Sequence, residues 1–417
     1  MEKAEAVDIP SSGVALKDLL TVPVIVASLG YFVDIYDLIL FSVVRVSSLR
    51  AIGLDGKELL DQGVFLLNMQ MGGMLIGGIL WGILGDKKGR LKILFGSIFL
   101  YSAANIANGF VGSVAAYAAW RFIAGVGLAG ELGAGVTLVL ENLPRSSRGY
   151  GTMIVATVGV TGAILADFVA SHFDWRTAYF IGGGLGLLLL LMRIGAFESG
   201  MYREIEHREI SKGDFISLFT QRERFSKYLK SILIGLPIWF AVGILITFSP
   251  EFARSLGVTG QINAGRAVMS CYLGLVFGDF VSGFLSQYFG SRKRIVLLFQ
   301  LLTLAAVAAY FMLHGVGPAL FYLHCGVIGF AVGYWAIFIT VAAEQFGTNL
   351  RATVASTVPN FIRGTVIPIT FSFQLLKGRV GIIHSAAIVG AVCLAIAFCA
   401  LSGLEETFGK DLDYIEE

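Results

Sequence analysis

The chain has 417 residues, of which 56% are hydrophobic and only 14% charged, where a soluble domain carries roughly 25% charged side chains. That leaves too few polar residues to cover a water-facing surface, which excludes a soluble protein or enzyme. The net charge of +2 is too dispersed for a nucleic-acid footprint, and four cysteines in apolar stretches (Cys271, Cys325, Cys393, Cys399) fit packing, not a zinc site or a disulfide framework.

Met1 to Lys17 carries Glu2, Glu5 and Asp8 and no apolar run, so no signal peptide is expected. Twelve apolar stretches follow, near 19–47, 62–85, 91–111, 114–141, 149–171, 176–196, 229–252, 265–288, 294–314, 318–343, 352–376 and 380–402. Each suits a helix crossing a hydrocarbon core, which needs roughly 20 residues. The expected fold is an all-α membrane protein, with twelve transmembrane helices in two six-helix bundles. The longest polar stretch divides it into an N-terminal bundle (1–196), a cytoplasmic linker (197–228) and a C-terminal bundle (229–417). An even number of spans returns both termini to one side. That side holds 21 of the lysines and arginines, Arg193 among them, against 8 on the other, Arg45 among those. The positive-inside rule then makes both termini cytoplasmic, in a bacterial-type inner membrane.

The halves echo each other. Gly82-Ile83-Leu84-Gly85-Asp86-Lys87-Lys88-Gly89-Arg90 after the second span has a counterpart after the eighth, Gly283-Phe284-Leu285-Ser286-Gln287-Tyr288-Phe289-Gly290. Glu141 and Arg148 after the fourth span recur as Glu344 and Arg351 after the tenth. Repeated halves are a mark of transporters. No phosphate-binding loop ending in Gly-Lys-Ser/Thr is present, which argues against an ATP-driven pump. No metal or cofactor is implied.

Gly82-x-x-x-Asp86-Lys87-x-Gly89-Arg90 resembles the loop 2–3 motif of the major facilitator superfamily. Arg121-Phe122-Ile123-Ala124-Gly125-Val126-Gly127 resembles its fourth-helix motif, and Glu141-Asn142-Leu143-Pro144-Arg145-Ser146-Ser147-Arg148-Gly149 its Glu-x-x-Pro-x-x-x-Arg-Gly pattern. Gly125 to Glu131 and Asp34-Ile35-Tyr36-Asp37-Leu38 are similar to metabolite–proton symporters and organic-anion carriers. Two features depart: Gln287 stands where the first copy has Asp86, and the seventh-span glutamine pair of sugar porters is missing from Gly235-Leu236-Pro237-Ile238-Trp239-Phe240. The second departure argues against a sugar. The resemblance implies secondary transport by alternating access, as proton symport of a small organic anion, mono- or dicarboxylate. The alternatives are an organic cation or zwitterion, or a ligand sensor of the same fold.

A charge within the bilayer is expensive unless paired or hydrated, so each is a functional candidate. Asp34 and Asp37 lie one turn apart in the first span. One of them either pairs with Arg121 for structure, or releases that arginine on taking up a proton. Glu131 lies among glycines in the fourth span, where it serves either as a proton or substrate site or as a helix-to-helix hydrogen bond. Asp34, Asp37, Arg121 and Glu131 are thus the proton-coupling candidates. Arg363 lies too deep in the eleventh span to reach water easily, and its guanidinium fork suits a carboxylate. Its partner is either an arriving anion or Asp279 of the eighth span. The resemblance to organic-anion carriers, which use an eleventh-helix arginine, favours the anion. Tyr36, Trp239, Tyr334 and Asn360 complete the expected substrate site, with Tyr31, Tyr272 and Trp335 as further aromatic candidates. Asp86, Arg90, Glu141, Arg148, Glu344 and Arg351 are expected to form charge clusters that open and close a cytoplasmic gate.

Overall fold

The computed structural model describes residues 21–88, 90–131, 148–198 and 215–410, with helix in each of the twelve expected stretches. The first three spans are single helices: α1 (Val22–Ala51), α2 (Glu58–Lys88) and α3 (Arg90–Asn108). The fourth opens with α4 (Val114–Leu128), the fifth comprises α5 (Arg148–Val160) and α6 (Gly162–His172), and the sixth is α7 (Trp175–Glu198). A short α8 (Ser217–Thr220) leads into α9 (Arg222–Leu233), which begins inside the stretch expected as linker. Its buried Tyr228 packs against Phe219 and Phe361, so this part of the linker is folded onto the bundle.

The seventh span continues as α10 (Leu236–Phe240), a π-helical turn (Ala241–Ile246) and α11 (Ser249–Ser255). Proline lacks the N–H that would continue the preceding turn, and Pro237 and Pro250 each open one of these pieces. The eighth and ninth spans are α12 (Ala264–Tyr288) and α13 (Arg292–Tyr310). The tenth breaks at Gly333 into α14 (Pro318–Ala331) and α15 (Trp335–Glu344). The eleventh span is α16 (Thr348–Gly364) with the first part of α17 (Val366–Ser402), and the rest of α17 is the twelfth. The apolar run Thr353–Ser402 is 50 residues long, about twice what one crossing takes at ~1.5 Å per residue. It turns back at Gly381, whose φ of 80° favours glycine.

Within each half, glycines bring two helices into backbone contact. A methyl on Gly73 or Gly77 of α2 would collide with the carbonyls of Phe122 and Val126 on α4. A methyl on Gly274 or Gly278 of α12 would do the same with Gly326 and Phe330 on α14. Both offsets (274 − 73 and 278 − 77) are 201 residues, so the repeat read in the loops is also a repeat of packing.

The chain's described ends share one face: Arg193 at the end of α7 donates to Val26 O near the start of α1, and Lys230 of α9 to Gly403 O beyond α17. On the opposite face, which carries the loops at 52–57, 109–113 and 256–263, the halves are tied together. Arg45 pairs with Glu251 at 2.7 Å and donates to Thr247 O, Ser42 meets Thr247 at 3.1 Å, and Lys377 pairs with Asp61 at 2.5 Å. Thr370 donates to Asn68 at 2.8 Å. Deeper in the molecule, Asn360 Nδ2 donates to Ala129 O at 2.9 Å, joining the halves nearer the ends' face.

Candidate functional site

Between the halves lies a cluster around Arg363. Its side chain is 1% exposed. Its guanidinium carbon lies 5.8 Å from the Trp239 ring centre and 5.6 Å from that of Trp335, and the two indoles meet edge to face at 6.3 Å. The Arg363 hydrogen bond to Asn360 Oδ1 is long, at 3.5 Å. Among the described residues, Arg363 Nε and the Trp239 N–H have no partner. Asp279 is not the counter-ion. Its Oδ1 accepts from Ala336 N at 3.1 Å, capping the N–H groups that the break at Gly333 exposes at the start of α15. Arg363 acts instead on Asp34 of the first span, as the largest charge effect there, and on Tyr31 and Tyr272. Asp34 is fully buried, and among the described residues neither carboxylate oxygen has a hydrogen-bond partner.

Asp37, one turn on, faces a different way. It lies inside the N-terminal half, against Gly182 of α7, where Arg121 and the Asn105 amide act on it. Arg121 does not form the expected ion pair with either aspartate. It donates to Gln70 Oε1 and lies 4.5 Å over the Phe41 ring, so a neutral amide and an aromatic face share its charge.

Glu131 is not open to water. It is 1% exposed and forms a bidentate ion pair with Arg193, at 2.5 and 3.0 Å. The absence of a side chain at Gly30 of α1 leaves the space for this pair. The charge count places Arg193 on the side of the termini and Arg45 on the other, and both are buried ion-pair partners there. Sequence reasoning missed the first because its partner lies 62 residues away. The available signal was its position, directly after an unbroken apolar run from Ala178 to Met192.

The structure separates the remaining candidates. Trp239 belongs to the cluster and Asn360 joins its edge. The Tyr36 hydroxyl donates to Ala178 O at 2.9 Å within the N-terminal half, and that of Tyr334 to Ile234 O at 3.0 Å within the C-terminal half. Both hydroxyls are thus engaged within their own half, and Trp335 lies against Arg363. Of the gate candidates, Glu344 lies 3.6 Å from Arg292 and accepts from Thr407, with Arg351 acting on it. Glu141 and the side chains of Asp86, Arg90 and Arg148 lie outside the described residues.

The family model described as Major Facilitator Superfamily matches residues 27–364. A niacin transporter of Acinetobacter baylyi is 24% identical, over 94% of this chain and 95% of its own. A protein of Cupriavidus pinatubonensis named as a probable 4-methylmuconolactone transporter is 25% identical, over 93% and 91%. Among solved structures, the proton:xylose symporter XylE matches with a TM-score of 0.69 and 16% identity, over 94% of this chain and 97% of its own. FucP in the outward conformation matches at 0.65 and 16%, over 92% and 99%. At that identity the structural likeness speaks for the fold alone.

Proposed function

Since the chain belongs to the Major Facilitator Superfamily and is a multi-pass membrane transporter, we propose that it carries a small organic anion with a proton, by alternating access between the two halves. The observation that carries this reading is Arg363, a buried cation between two indole faces with no carboxylate bound to it. Such a cation calls for an anion to compensate it. Asp279 is occupied in capping α15. An anion with a flat ring would use both the guanidinium fork and the indoles. Relatives named for niacin and for a muconolactone support that chemistry.

Asp34 supplies the coupling. When ionised, it competes with the substrate for the field of Arg363; when protonated, it leaves that field to the anion. Proton and anion therefore load together. The positive-inside count places the face with the chain ends in the cytoplasm of a bacterial inner membrane, with 1–196 and 229–417 as the moving halves and 197–228 between them.

The test is binding of radiolabelled nicotinate and benzoate to purified protein. Arg363→Lys should weaken binding, because an ammonium cannot reproduce the fork, and Arg363→Ala should weaken it by about 2–5 kcal/mol. A folded Arg363→Ala protein that binds either acid as tightly as the unmutated one would overturn the assignment.

A further inference from the structure

The N-terminal half contains a buried polar stripe that the substrate site does not use. On α3, Tyr101, Ser102, Asn105 and Asn108 recur at three- and four-residue spacing and so share one helix face. All are at most 1% exposed. Among the described residues, both amide atoms of Asn108, the Ser102 hydroxyl and the Tyr101 hydroxyl lack protein partners, while the Asn105 amide reaches the Asp37 carboxyl. The stripe does not face lipid. It packs against α7, where a methyl on Gly186 would meet Ser102 Oγ and the Tyr101 ring and one on Gly183 the Ser102 carbonyl; Asp37 Oδ1 of α1 lies against Gly182 of the same helix. The groups acting on Asp37 are Asp34 from its own helix, Asn105 from α3 and Arg121 from α4. Tyr101 and Tyr179, on α3 and α7, in turn feel its charge.

Buried polar atoms are almost always hydrogen-bonded, to protein or to water, and a polar site with several such atoms holds water. The stripe runs inward from the loop-bearing face. Asn108 is the last residue of α3 and stands next to Gly109, whose carbonyl Arg176 binds on the loop-bearing face. About 10 Å further down, at ~1.5 Å per residue, Tyr101 lies within the electrostatic reach of Asp37 and of the Glu131–Arg193 pair. That pair sits near the face of the chain ends.

We propose that protons reach Asp37 through a hydrated file inside the N-terminal half, entering at Asn108, passing Asn105 and leaving past Tyr101 towards Glu131. The Asp37 proton then travels apart from the cleft between the halves, which serves the substrate and the proton of Asp34. This rests on the proton-coupled reading above. In each passage the Asp37 carboxylate gains one O–H bond to a proton delivered by water and later returns that proton to water. The amides and hydroxyls orient the water and keep their own protons.

Infrared difference spectroscopy of the reconstituted full chain after a pH step tests this without knowledge of the substrate. The carboxyl band lost in Asp37→Asn identifies Asp37, and the band lost in Asp34→Asn identifies Asp34. Asn105→Leu and Asn108→Leu should slow the rise of the Asp37 band by about tenfold, the kinetic equivalent of one lost hydrogen bond, and leave the Asp34 band at its original rate. Asn108→Ser, which keeps a hydrogen-bonding group, should restore the rate. Ser102→Ala adds no bulk and should slow the band in the same direction if a leucine variant does not fold. Unchanged Asp37 kinetics, equal slowing of both bands, or an Asp37 band that never titrates would each overturn the route. The coupling reading fails separately, if an imposed pH gradient drives no accumulation of nicotinate or benzoate by unmutated protein that binds the acid.

Discussion

Glu131 and Arg193 are each costly to bury alone, and the cost is offset only while both are present and aligned. Arg193→Ala should therefore destabilise the protein by about 3–5 kcal/mol, and the double change with Glu131→Ala should recover much of that loss. Thermal unfolding of the four proteins in detergent checks this cycle. Were Glu131 an open proton site, the two changes would be independent. At the central cluster, the neighbours Tyr334 and Trp335 should behave oppositely. Tyr334→Phe removes a hydrogen bond to Ile234 O and should cost about 1 kcal/mol of stability with no change in affinity. Trp335→Ala removes one of the two ring faces at Arg363 and should weaken carboxylate binding by about 0.5–2 kcal/mol. Titration calorimetry alongside thermal unfolding separates the two effects. The depth of Arg363 and of the two aspartates was legible in the sequence, because an apolar run places whatever charge it contains. The choice between adjacent aromatics was not, since it depends on the break at Gly333, which resets the rotation of α15 about its axis. The partners of Arg121 and Arg193 were not legible either, because contacts between helices leave no local pattern.

At the level of elements, the spans were read closely from hydropathy, which is a property of each stretch by itself. The start of α9 at Arg222 was missed because its first turns are polar and earn their place by packing against α16. The beginning of α13 shows another long-range dependence. Ser291 caps that helix, and Glu406, over a hundred residues later, accepts from Ser291, Arg292 N and Lys293 N. Burial pushes the Glu406 carboxyl up, but the Ser291 hydroxyl and the N–H groups of Phe408, Arg292 and Lys293 outweigh it, and the group ends below its ordinary value. A carboxyl lowered on folding contributes stability that is present above its unfolded value and lost as pH falls through the folded one. Glu406→Gln should thus cost about 1 kcal/mol near neutrality, as for a lost helix cap, with solvent exposure holding it to the lower end. The gap in Tm between variant and unmutated protein should close as the pH is lowered beneath the usual glutamate range.

For the molecule as a whole, the decisive feature is which face holds the halves together. Arg45, fully buried, has Glu251, Thr247 O and Leu59 O as partners and the Phe248 ring beneath it at 4.6 Å, and the π-helical turn just before Thr247 sets the register of that contact. Glu251→Ala leaves Arg45 without its counter-ion in this closed arrangement, where water cannot reach it, so opening of the loop-bearing face should be favoured. Spin-label distances across that face should shift towards longer separations, and an unchanged distribution would count against a latch. A ligand that approaches from the latched side can bind only the open fraction of molecules, and its half-saturating concentration rises by the inverse of that fraction. A ligand approaching from the other side meets the Asn360–Ala129 contact in its place. Right-side-out and inside-out vesicles would then report two apparent affinities for one intrinsic site, and their ratio, compared between Glu251→Ala and the unmutated protein, becomes a gauge of how firmly one pair of side chains sets the direction from which the carrier is loaded.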